Sequence, residues 1–478
     1  MLTLINSNRM TPLIAPIGLD YVAGAAQRAG IQADLVDLAL AEDPDAALGA
    51  YFRKQNPRLV GLTFRNVDDC FWPSAEWFVP GLADTVKRVR GLTDAPIVLG
   101  GIGYSIFPDR ILQHTGADFG IRGDGERAIV QLVAELSKAG PRFDRVEGLV
   151  WRDGGKIRRN PPAWALRLET PTSRAVVDNA AYFRLGGQAG VETKRGCGRK
   201  CLYCADPLAK GPTSRLRSPR DVADEFQSLL DQGIDVFHLC DAEFNIPAEH
   251  AMAVCEALAD QGLGRRVRWY AYLAVKPFDA AMAAAMRKAG CVGINFTGDS
   301  ASEAMLTTYR QPHRREDMAA NVRLCREQGI AVMIDLLLGG PGETKATLAD
   351  TIAFMKKIGP DCVGAALGVR IYTGTGMVDR VLAEGPPEKN ESLRRRYDGP
   401  VDFFRPTFYL SKALGDQPAR LVSRLVGGDQ RFFEPMPEAG EGDAAADYNY
   451  NDNTPLVRAI AAGARGAYWD ILRRLRGA

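Results

Sequence analysis

The sequence lacks three features that would each place it in a special class of protein: a long apolar run, an excess of one charge, and a secretory leader. Its best apolar run, IAVMIDLLLGG, contains Asp335 and falls short of the roughly 20 residues that span a bilayer. Lys and Arg number 60 against 58 Asp and Glu, a formal net charge of +2, which leaves no electrostatic footprint for nucleic acid. The start, MLTLINSN, has neither a basic segment nor a long apolar core, so we expect no secretory signal. These absences favour a cytoplasmic protein that binds neither nucleic acid nor membranes.

Histidine is also scarce, and cysteine does not follow a disulfide pattern. The four histidines are His114, His238, His250 and His313, so the first 113 residues contain none. Nine cysteines, an odd number spread over 478 residues, do not suggest a disulfide framework. Apolar residues at 46% and charged residues at 25% are typical of globular chains. At about 150 residues per domain, the length predicts about three domains.

Strand-length apolar runs alternate with helical segments over residues 1–140. The runs LTLINS, QADLVDL, RLVGLTF, PIVLGG and ADFGIRG predict an α/β domain, a Rossmann-like (flavodoxin-like) parallel sheet with helices on both faces. Ligands of such sheets bind beyond the carboxyl ends of the strands. Polar or glycine-rich strand ends are therefore candidate binding positions, although ordinary tight turns have the same composition. These candidates are Arg65, Asn66, Asp68, Gly100, Gly101, Gly103, Gly123 and Glu126.

A cysteine triad follows a predicted connector at residues 141–187, in which VEGLVWRDGGKIRRNPP indicates a hairpin. Cys197, Cys201 and Cys204 are spaced C-x3-C-x2-C. Thiolates select zinc, copper or iron–sulfur clusters, and structural zinc requires four closing ligands, whereas no fourth cysteine lies nearby. A cluster on three cysteines would leave one iron open, and the alternative is a zinc site with a distant fourth ligand. Four basic residues would offset the negative charge of a thiolate-bound cluster: Lys194, Arg195, Arg199 and Lys200.

The cysteine stretch resembles the signature of the radical S-adenosylmethionine enzymes, C-x3-C-x-aromatic-C, with Tyr203 at the aromatic position. The resemblance continues in VFHLCDAEFN, which contains Asp241, and in LGGPGET, which is similar to a G-x-P-G-E-T turn. The stretch NFTGDS lies where the family often has G-I-E-S, with Asp299 at the Glu position. About six βα units over residues 188–380 suit the family's partial (β/α)6 barrel, which is too short for a closed eight-fold barrel.

The first domain in turn resembles that of the cobalamin-binding subclass of this family, through the stretch PIGLDYVA at residues 16–23. That subclass generally binds its corrin without the cobalt-ligating histidine of many other cobalamin proteins, which agrees with the absence of histidine before His114. Arg65, Asn66 and Asp68 fall where the resemblance places the lower face of the corrin.

The resemblance implies three cofactors: a [4Fe–4S] cluster on the cysteine triad, S-adenosylmethionine bound at the open iron, and cobalamin. It further implies that Tyr203 packs beside the adenine. Asp299 and Ser300 are then expected to contact the nucleoside or the methionine part of S-adenosylmethionine. Arg370 is expected to contact a carboxylate. Asp241 is another cofactor-binding candidate. Arg65 and Tyr372 are the catalytic candidates.

Residues 381–478 are predicted to form a helical and loop region that covers the active site. The stretch RPTFYLS at residues 405–411 is expected to begin a helical tail, and residues 453–477 to form one closing amphipathic helix. Between these two stretches, Tyr448, Tyr450 and Asn451 are candidates for lining a substrate pocket, although a solvated loop is the preferred interpretation.

The resemblance therefore implies an enzyme that moves a methyl group from methylcobalamin to an unactivated carbon of a small molecule or natural-product precursor. We expect a monomer served by an external one-electron reductant of the flavodoxin or ferredoxin type. On the same scaffold, the alternative is a ring closure, a rearrangement or another group transfer from S-adenosylmethionine. Two other classes fit the sequence less well. A nucleic-acid methylthiotransferase usually has further cluster cysteines and a basic terminal domain, and the sequence shows neither. A cobalamin-binding regulator does not need the cysteine triad.

Overall fold

The computed structural model describes residues 1–168, 173–435 and 449–477. Its first part is a mixed sheet in which five parallel strands are extended at one edge by an antiparallel hairpin. The strands are β1 (Leu2–Asn6), β2 (Ala33–Asp37), β3 (Leu59–Thr63), β4 (Ile97–Gly100), β5 (Phe119–Ile121), β6 (Leu149–Asp153) and β7 (Lys156–Arg159). They lie in the order β2-β1-β3-β4-β5-β6-β7, so the parallel part has the flavodoxin-like order that the sequence predicted.

Helices cover both faces of this sheet, which is why its central strands are apolar on both sides. One hydrophobic core includes Leu19 and Ala128, and a second core on the other face includes Leu82 and Ile111. The expected hairpin is present, but it extends the first sheet, so the division at residue 140 stays a prediction. The helices are α1 (Ile17–Arg28), α2 (Pro44–Phe52), α3 (Val79–Arg90), α4 (Ile102–Ile106), α5 (Pro108–Thr115) and α6 (Gly125–Glu135).

The second part is an open parallel barrel. Its strands, together with a short pair that brackets the cysteine triad, are β8 (Ala189–Val191), β9 (Lys194–Arg195), β10 (Arg215–Leu216), β11 (Val236–Leu239), β12 (Arg268–Ala274), β13 (Cys291–Asp299), β14 (Ala331–Leu338) and β15 (Cys362–Leu367). Strand β8 and strands β11 to β15 are parallel neighbours in the order β15-β14-β13-β12-β11-β8. The six predicted barrel strands are therefore present, and β9 pairs with β10 in an antiparallel manner outside them.

The barrel helices lie outside the strands and bury the outward-facing apolar residues. On β14, for example, Val332, Ile334 and Leu336 belong to the largest hydrophobic core, which also includes Ile352 and Met355 from the following helix. The alternate residues of each strand face the lumen of the barrel. The helices of this part are α7 (Asn179–Gly186), α8 (Asp206–Lys210), α9 (Pro219–Leu230), α10 (Ala248–Asp260), α11 (Ala280–Lys288), α12 (Glu303–Tyr309), α13 (Arg315–Glu327) and α14 (Lys345–Ile358).

The C-terminal region contains helices, as expected, together with strands that the sequence analysis did not predict. Its elements are β16 (Val369–Arg370), α15 (Gly376–Ala383), β17 (Leu393–Arg395), β18 (Thr407–Tyr409), α16 (Pro418–Val426), β19 (Phe432–Phe433), α17 (Thr454–Ala461) and α18 (Tyr468–Arg476). Strands β16, β18 and β17 form a small antiparallel sheet, and β19 adds a seventh parallel strand beside β15.

Two predictions for this region were wrong. The stretch expected to begin a helical tail forms β18, whose residues are fully buried between β16 and β17. The single closing helix is two helices, because Gly463 and Gly466 adopt positive φ values of 102° and 141° between them. Among the described residues, no helix is long and apolar enough to cross a membrane.

A buried network of charges joins the first domain to the barrel. Arg174 lies between Asp20 of α1 and Glu225 of α9, at 2.7 and 2.9 Å. Glu225 also accepts hydrogen bonds from Arg217 at 2.5 Å and from Tyr21 at 2.9 Å. The four charged side chains are at most 1% exposed, and two guanidinium groups face two carboxylates. This balance allows the charges to be buried and fixes the two sheets relative to one another.

Candidate active site

The cysteine triad lies on a loop between β9 and α8, at the mouth of the barrel. Gly196 enters the loop with φ of 85°, and a side chain there would collide with the carbonyl oxygen of Thr213. The Cys197 amide donates to the carbonyl oxygen of Gly211 at 3.1 Å, and the amide of Leu202 donates to that of Tyr309 at 3.1 Å. These bonds hold the loop against β10 and α12.

The surroundings of the triad fit a cluster better than a single ion. Burial raises the pKa of all three thiols, that of Cys201 to about 11, so thiolates need a bound cation at this position. In the described part of the chain, no three metal-ligating side chains stand close enough to enclose one metal ion. A [4Fe–4S] cluster makes a different demand, because each cysteine ligates its own iron. The donor set and its spread therefore fit the predicted cluster.

Only one of the four predicted basic neighbours bonds beside the triad. Arg199 donates to the carbonyl oxygen of Lys276 at 3.0 Å and to Oε1 of Gln311 at 3.4 Å, and Nε2 of Gln311 lies 3.5 Å from Sγ of Cys201. Lys194 is buried, Lys200 is exposed, and Arg195 points instead to the first domain.

Tyr203 and Asp299 contact each other beside the triad. The Tyr203 hydroxyl donates to both carboxylate oxygens of Asp299, at 2.8 and 2.7 Å, and Gln311 donates to Asp299 at 2.5 Å. Asp299 has φ of 57° where β13 ends, and burial raises the pKa of its carboxyl to about 6. The buried hydroxyl of Ser300 contacts Thr351 at 3.0 Å and accepts from the Ser302 amide at 3.1 Å. Its predicted role in binding S-adenosylmethionine stays a prediction.

Glu243, which follows β11, is a functional candidate that the sequence analysis missed. Its Oε1 accepts a hydrogen bond from Thr297 at 2.9 Å, whereas its Oε2 is buried without a partner among the described residues. Burial raises the pKa of this carboxyl to about 7, and its charge acts on Cys197 and Cys201. An acceptor left over beside three thiols fits a cationic group bound next to them. The stretch VFHLCDAEFN contains this glutamate, but the sequence analysis did not single out Glu243 within it.

A cavity of about 570 Å³ separates the first sheet from the barrel. It lies beyond the carboxyl ends of β1, β3, β4 and β5, and the ends of β8 and β11 close its other side. Gly100, Gly101 and Gly123 line it, as the sequence predicted for ligand-facing glycines. Gly101 has φ of 103°, and a Cβ there would come within 2.6 Å of the Phe64 carbonyl oxygen. The strand ends thus form a floor without side chains, which suits a broad, flat ligand.

Gly103 does not face the cavity. A Cβ on this glycine would lie 3.0 Å from backbone atoms of Arg65 and Asn66, so its small size lets α4 pack on the loop after β3. The predicted contact between Gly103 and the cofactor is therefore corrected to a supporting role. Arg65 and Asn66 themselves line the cavity.

Arg65 keeps its positive charge unpaired inside the cavity. Within residues 1–168, 173–435 and 449–477 its guanidinium has no carboxylate partner, and the groups whose charges act on it are Tyr468, Cys240 and Tyr272. Burial lowers the pKa of Arg65. The two nearby carboxylates are engaged elsewhere: Asp68 pairs with Arg370, and Asp69 accepts from Ser74 and neighbouring amides.

Asp68, Arg370 and Tyr372 form a buried group of their own, away from the cavity. Arg370 donates to Asp68 at 2.9 Å, and its guanidinium lies 4.5 Å from the ring centroid of Tyr372. The Tyr372 hydroxyl donates to Asp68 at 3.4 Å. The structure shows these three side chains bonded to one another, so the predicted roles of Asp68 at the corrin, of Arg370 at a carboxylate and of Tyr372 in catalysis stay predictions. The contacts among these three side chains join β16 to the loop after β3.

Two other predicted residues lie at the cavity but are engaged within the protein. Glu126 accepts from Arg195 at 2.7 Å, and although burial opposes ionisation, this guanidinium lowers the pKa of Glu126. Asp241 accepts from the Thr193 amide at 2.8 Å and from the Thr193 hydroxyl at 2.5 Å. Both carboxylates shape the charged side of the cavity wall.

The structure also brings His238 to the cavity wall, which the sequence argument overlooked because it counted only histidines before residue 114. Burial lowers the pKa of His238 to about 4, so its imidazole is neutral at neutral pH. Of the three C-terminal candidates, Tyr450 contacts Tyr468 with ring centroids 5.9 Å apart. The backbone amide of Asn451 donates to Oδ1 of Asn449 at 3.0 Å, which closes a turn. Tyr448 lies outside the described residues.

Fold and site together define a class of protein, in which a flavodoxin-like domain faces the mouth of an open barrel that carries a three-cysteine loop. The Radical SAM superfamily profile matches residues 191–355, and the B12 binding domain profile matches residues 8–133. A tryptophan 2-C-methyltransferase of Streptomyces laurentii is 29% identical over 98% of this chain and 94% of its own.

Two solved structures agree with this class over the whole chain. Both are of TsrM, a radical S-adenosylmethionine methyltransferase from Kitasatospora setae. The one with tryptophan substrate and the analogue aza-SAM is 28% identical, with a TM-score of 0.92 over 100% of this chain and 97% of that chain. The one with cobalamin and a [4Fe–4S] cluster is 27% identical, with a TM-score of 0.90 over the same shares. The chain therefore contains a Radical SAM domain and a B12 binding domain, and the predicted family resemblance and fold are confirmed.

Proposed function

We propose that this protein is a cobalamin-dependent C-methyltransferase whose substrate is tryptophan or a closely related aromatic amino acid. The observation that carries the proposal is the cavity, which joins the strand ends of the first sheet to the barrel beside the cysteine loop. The tryptophan methyltransferases that match this chain over nearly its whole length support the reaction and the substrate class.

In this proposal, residues 1–140 hold the corrin, residues 188–380 hold the cluster and S-adenosylmethionine, and residues 381–478 close the site. When bound, the corrin supplies a transferable methyl group, and the cluster exchanges electrons at the sulfonium. The chain supplies binding, orientation and the exclusion of water. Cys197, Cys201 and Cys204 would hold three irons. The unpartnered oxygen of Glu243 is suited to the ammonium group of S-adenosylmethionine, because a buried carboxylate needs a donor.

Tyr203 is held rigidly for its proposed place beside the adenine. Its hydroxyl is fixed by Asp299, and its ring meets that of Tyr309 edge-on with centroids 5.6 Å apart. A ring fixed at both ends presents one face to a ligand without losing further rotamer freedom.

The far end of the barrel is closed to water by α18. Trp469 and Ile471 of this helix share a hydrophobic core with Tyr270 of β12, and the Tyr270 hydroxyl donates to Asp470 at 2.8 Å. A substrate would therefore enter from the cavity side. Methyl transfer then takes place where bulk water is excluded.

The test is the mass of the product. Protein reconstituted without oxygen with iron, sulfide and cobalamin should convert tryptophan and S-adenosylmethionine to a product heavier by one CH2. Replacing Cys197, Cys201 and Cys204 together by Ala should abolish both the visible absorbance of the cluster and this product. Cys325→Ala, a buried cysteine of α13, is the matched control and should keep both. A product without the added CH2 would favour a ring closure, a rearrangement or another group transfer instead.

Three further features remain proposals. We propose an external one-electron reductant of the flavodoxin or ferredoxin type, a monomeric state and a cytoplasmic location. Omission of the reductant from the assay above, together with a mass measurement in solution, examines the first two directly.

A further inference from the structure

The cysteine loop is buried on one side and exposed on the other. Leu202 packs in a hydrophobic core with Tyr309, and the chain after the loop enters α8, which packs against α4 of the first domain. Gly198 and Lys200, which lie between the first two cysteines, are exposed. A protein from outside can therefore reach the cysteine loop at this stretch.

Basic side chains surround the exposed stretch. Arg199 donates to the carbonyl oxygen of Lys276 at 3.0 Å, and Arg310 directly follows α12, whose last residue is hydrogen-bonded to the loop. Arg314 lies near Lys276, because its backbone amide and the Lys276 ammonium contact the carboxylate of Asp317 at 2.8 and 3.1 Å. We call five cations the basic rim, of which all but the first are exposed: Arg199, Lys200, Lys276, Arg310 and Arg314.

The charge of the basic rim is largely uncompensated. In the described part of the chain, its only ion pair is that of Lys276 with Asp317. The whole chain has a formal charge of only +2, so the rim does not reflect a general excess of cations. Helix stability does not account for Arg314 either, because this residue is at the N-cap of α13, where the helix dipole disfavours a cation. Like charges held together at a surface repel one another, and an anionic surface placed against them relieves that repulsion.

The position of the basic rim selects the kind of anionic partner. As far as the structure describes the chain, the residues that line the cavity do not include the five cations, so the rim is not the entrance for a substrate or a corrin. It surrounds the outer side of the cysteine loop, where electrons have to arrive from an external reductant. Complexes of electron-transfer proteins are small and transient, and complementary charge steers their formation.

We propose that the basic rim is the docking surface for an acidic one-electron carrier protein that reduces the cluster on the cysteine triad. In this step one electron leaves the reduced centre of the carrier and is accepted by the cluster, and no atom is transferred. The inference rests on the proposed function, which includes an external reductant, and it adds the surface that this reductant contacts and the sign of its charge.

The experiment measures the binding of a plant-type [2Fe–2S] ferredoxin, an acidic carrier, to anaerobic, cofactor-loaded protein by calorimetry. The wild-type affinity should fall roughly tenfold between about 0.05 M and about 0.5 M salt, because the Debye length shortens. At the lower salt, Lys200→Glu with Arg314→Glu should bind the carrier roughly tenfold or more weakly than wild type, since two attractions become repulsions. The matched control is Lys54→Glu with Lys156→Glu, which reverses two exposed lysines of the first sheet's domain and changes the net charge equally. Its affinity should stay within about twofold of wild type.

Cluster content and reduction by titanium(III) citrate, which needs no docking surface, are measured for every variant and should be unchanged. If Lys200→Glu with Arg314→Glu loses its cluster, Arg310→Glu with Arg314→Glu decides the question, because both of these residues are outside the cysteine loop. Wild-type binding that is absent or insensitive to salt would overturn the inference, and so would an equal loss of affinity in the control.

Failure of the docking surface and failure of the proposed function give different results. If the rim variant binds ferredoxin as wild type does, while titanium(III) citrate supports formation of the methylated product, the proposed function stands and only the docking surface falls. If no methylated product forms with either reductant, the proposed function is overturned, and the binding measurements decide the docking surface separately.

Discussion

A carboxyl group that is buried without a cation opposes its own ionisation, and Glu343 in the turn after β14 is such a group. One of its oxygens accepts from the Gly339 amide at 2.5 Å, and the other has no partner among the described residues. Burial raises the pKa of Glu343 to about 7 from its ordinary value of 4.5. The folded state therefore binds more protons than the unfolded state between these two pH values, so stability is lost as the pH rises through this window.

Replacing Glu343 by Gln should remove this loss. Relative to wild type, the variant should gain about 2–3 kcal/mol in the free energy of unfolding between pH 4.5 and pH 7.5. The measurement is urea denaturation of the apoprotein at a series of pH values. Glu316→Gln, an exposed carboxyl on α13, should leave the pH dependence unchanged. If the free energy of unfolding has the same pH dependence in wild type and Glu343→Gln, the prediction is contradicted. The carboxyl would then ionise as easily in the folded protein as in the unfolded chain.

Arg65 provides a second prediction at the scale of one side chain. Because its guanidinium is unpaired in the cavity, we expect it near the cobalt, where a positive charge disfavours a further donor. Bound cob(II)alamin should therefore show no nitrogen superhyperfine splitting in its electron paramagnetic resonance spectrum. Arg65→Ala should change the ease of cobalt reduction more than the affinity for the corrin. Splitting that disappears in His238→Gln would contradict this prediction and identify His238 as the axial ligand.

From the sequence, the location of a candidate site was easier to predict than the role of each residue in it. The cysteine triad and the glycines after β4 lie where the motifs predicted, because spacing and strand ends constrain them locally. Asp68 and Arg370 are 302 positions apart in the chain, and nothing local indicates that each satisfies the charge of the other.

At the scale of elements, the turn between β4 and α4 depends on one glycine, Gly101. Gly101→Ala should force a Cβ to within 2.6 Å of the Phe64 carbonyl oxygen at φ of 103°, which shifts the loop that carries Arg65. We expect a loss of about 1–3 kcal/mol in stability and a clear loss of corrin affinity. Gly140→Ala is the control, because a Cβ there meets nothing within 4 Å and Gly140 does not line the cavity. Corrin titration and urea denaturation of both variants test this, and equal behaviour of the two would contradict it.

The elements themselves followed the sequence wherever hydrophobic periodicity was strong. Apolar runs of strand length became β1 and β3 to β5, and the amphipathic stretch after Ser218 became α9. Prediction failed near the C-terminus, where glycine conformation and tertiary pairing outweigh propensity. The positive φ of Gly463 interrupts a helical pattern, and the run of β18 is extended only because β16 and β17 pair with it.

At the scale of the whole molecule, the site exists only where two separately folded sheets face each other. The first sheet contributes Arg65 and its glycine floor, and the barrel contributes His238, Tyr272 and the cysteine loop. No single motif describes this cavity, because its two walls are joined only through the relative orientation of the domains. The family resemblance predicted that such a cavity would exist, whereas its lining required the folded structure.

The buried charges around Arg174 are what fix that orientation, so we expect them to control both stability and corrin binding. Arg174→Met would leave Asp20 without its guanidinium and Glu225 with one cation in place of two, at less than 2% exposure. Breaking such a buried network should lower the free energy of unfolding by about 3–5 kcal/mol. It should also weaken cobalamin binding, because the two walls of the cavity would no longer be held in one relative position. Arg158→Met, which removes an exposed pair with Asp153, should cost no more than about 1 kcal/mol and leave the corrin affinity unchanged. Urea denaturation and cobalamin titration of both variants decide the matter. If Arg174→Met loses stability but keeps full corrin affinity, the network serves folding alone, and the orientation of the domains is set elsewhere.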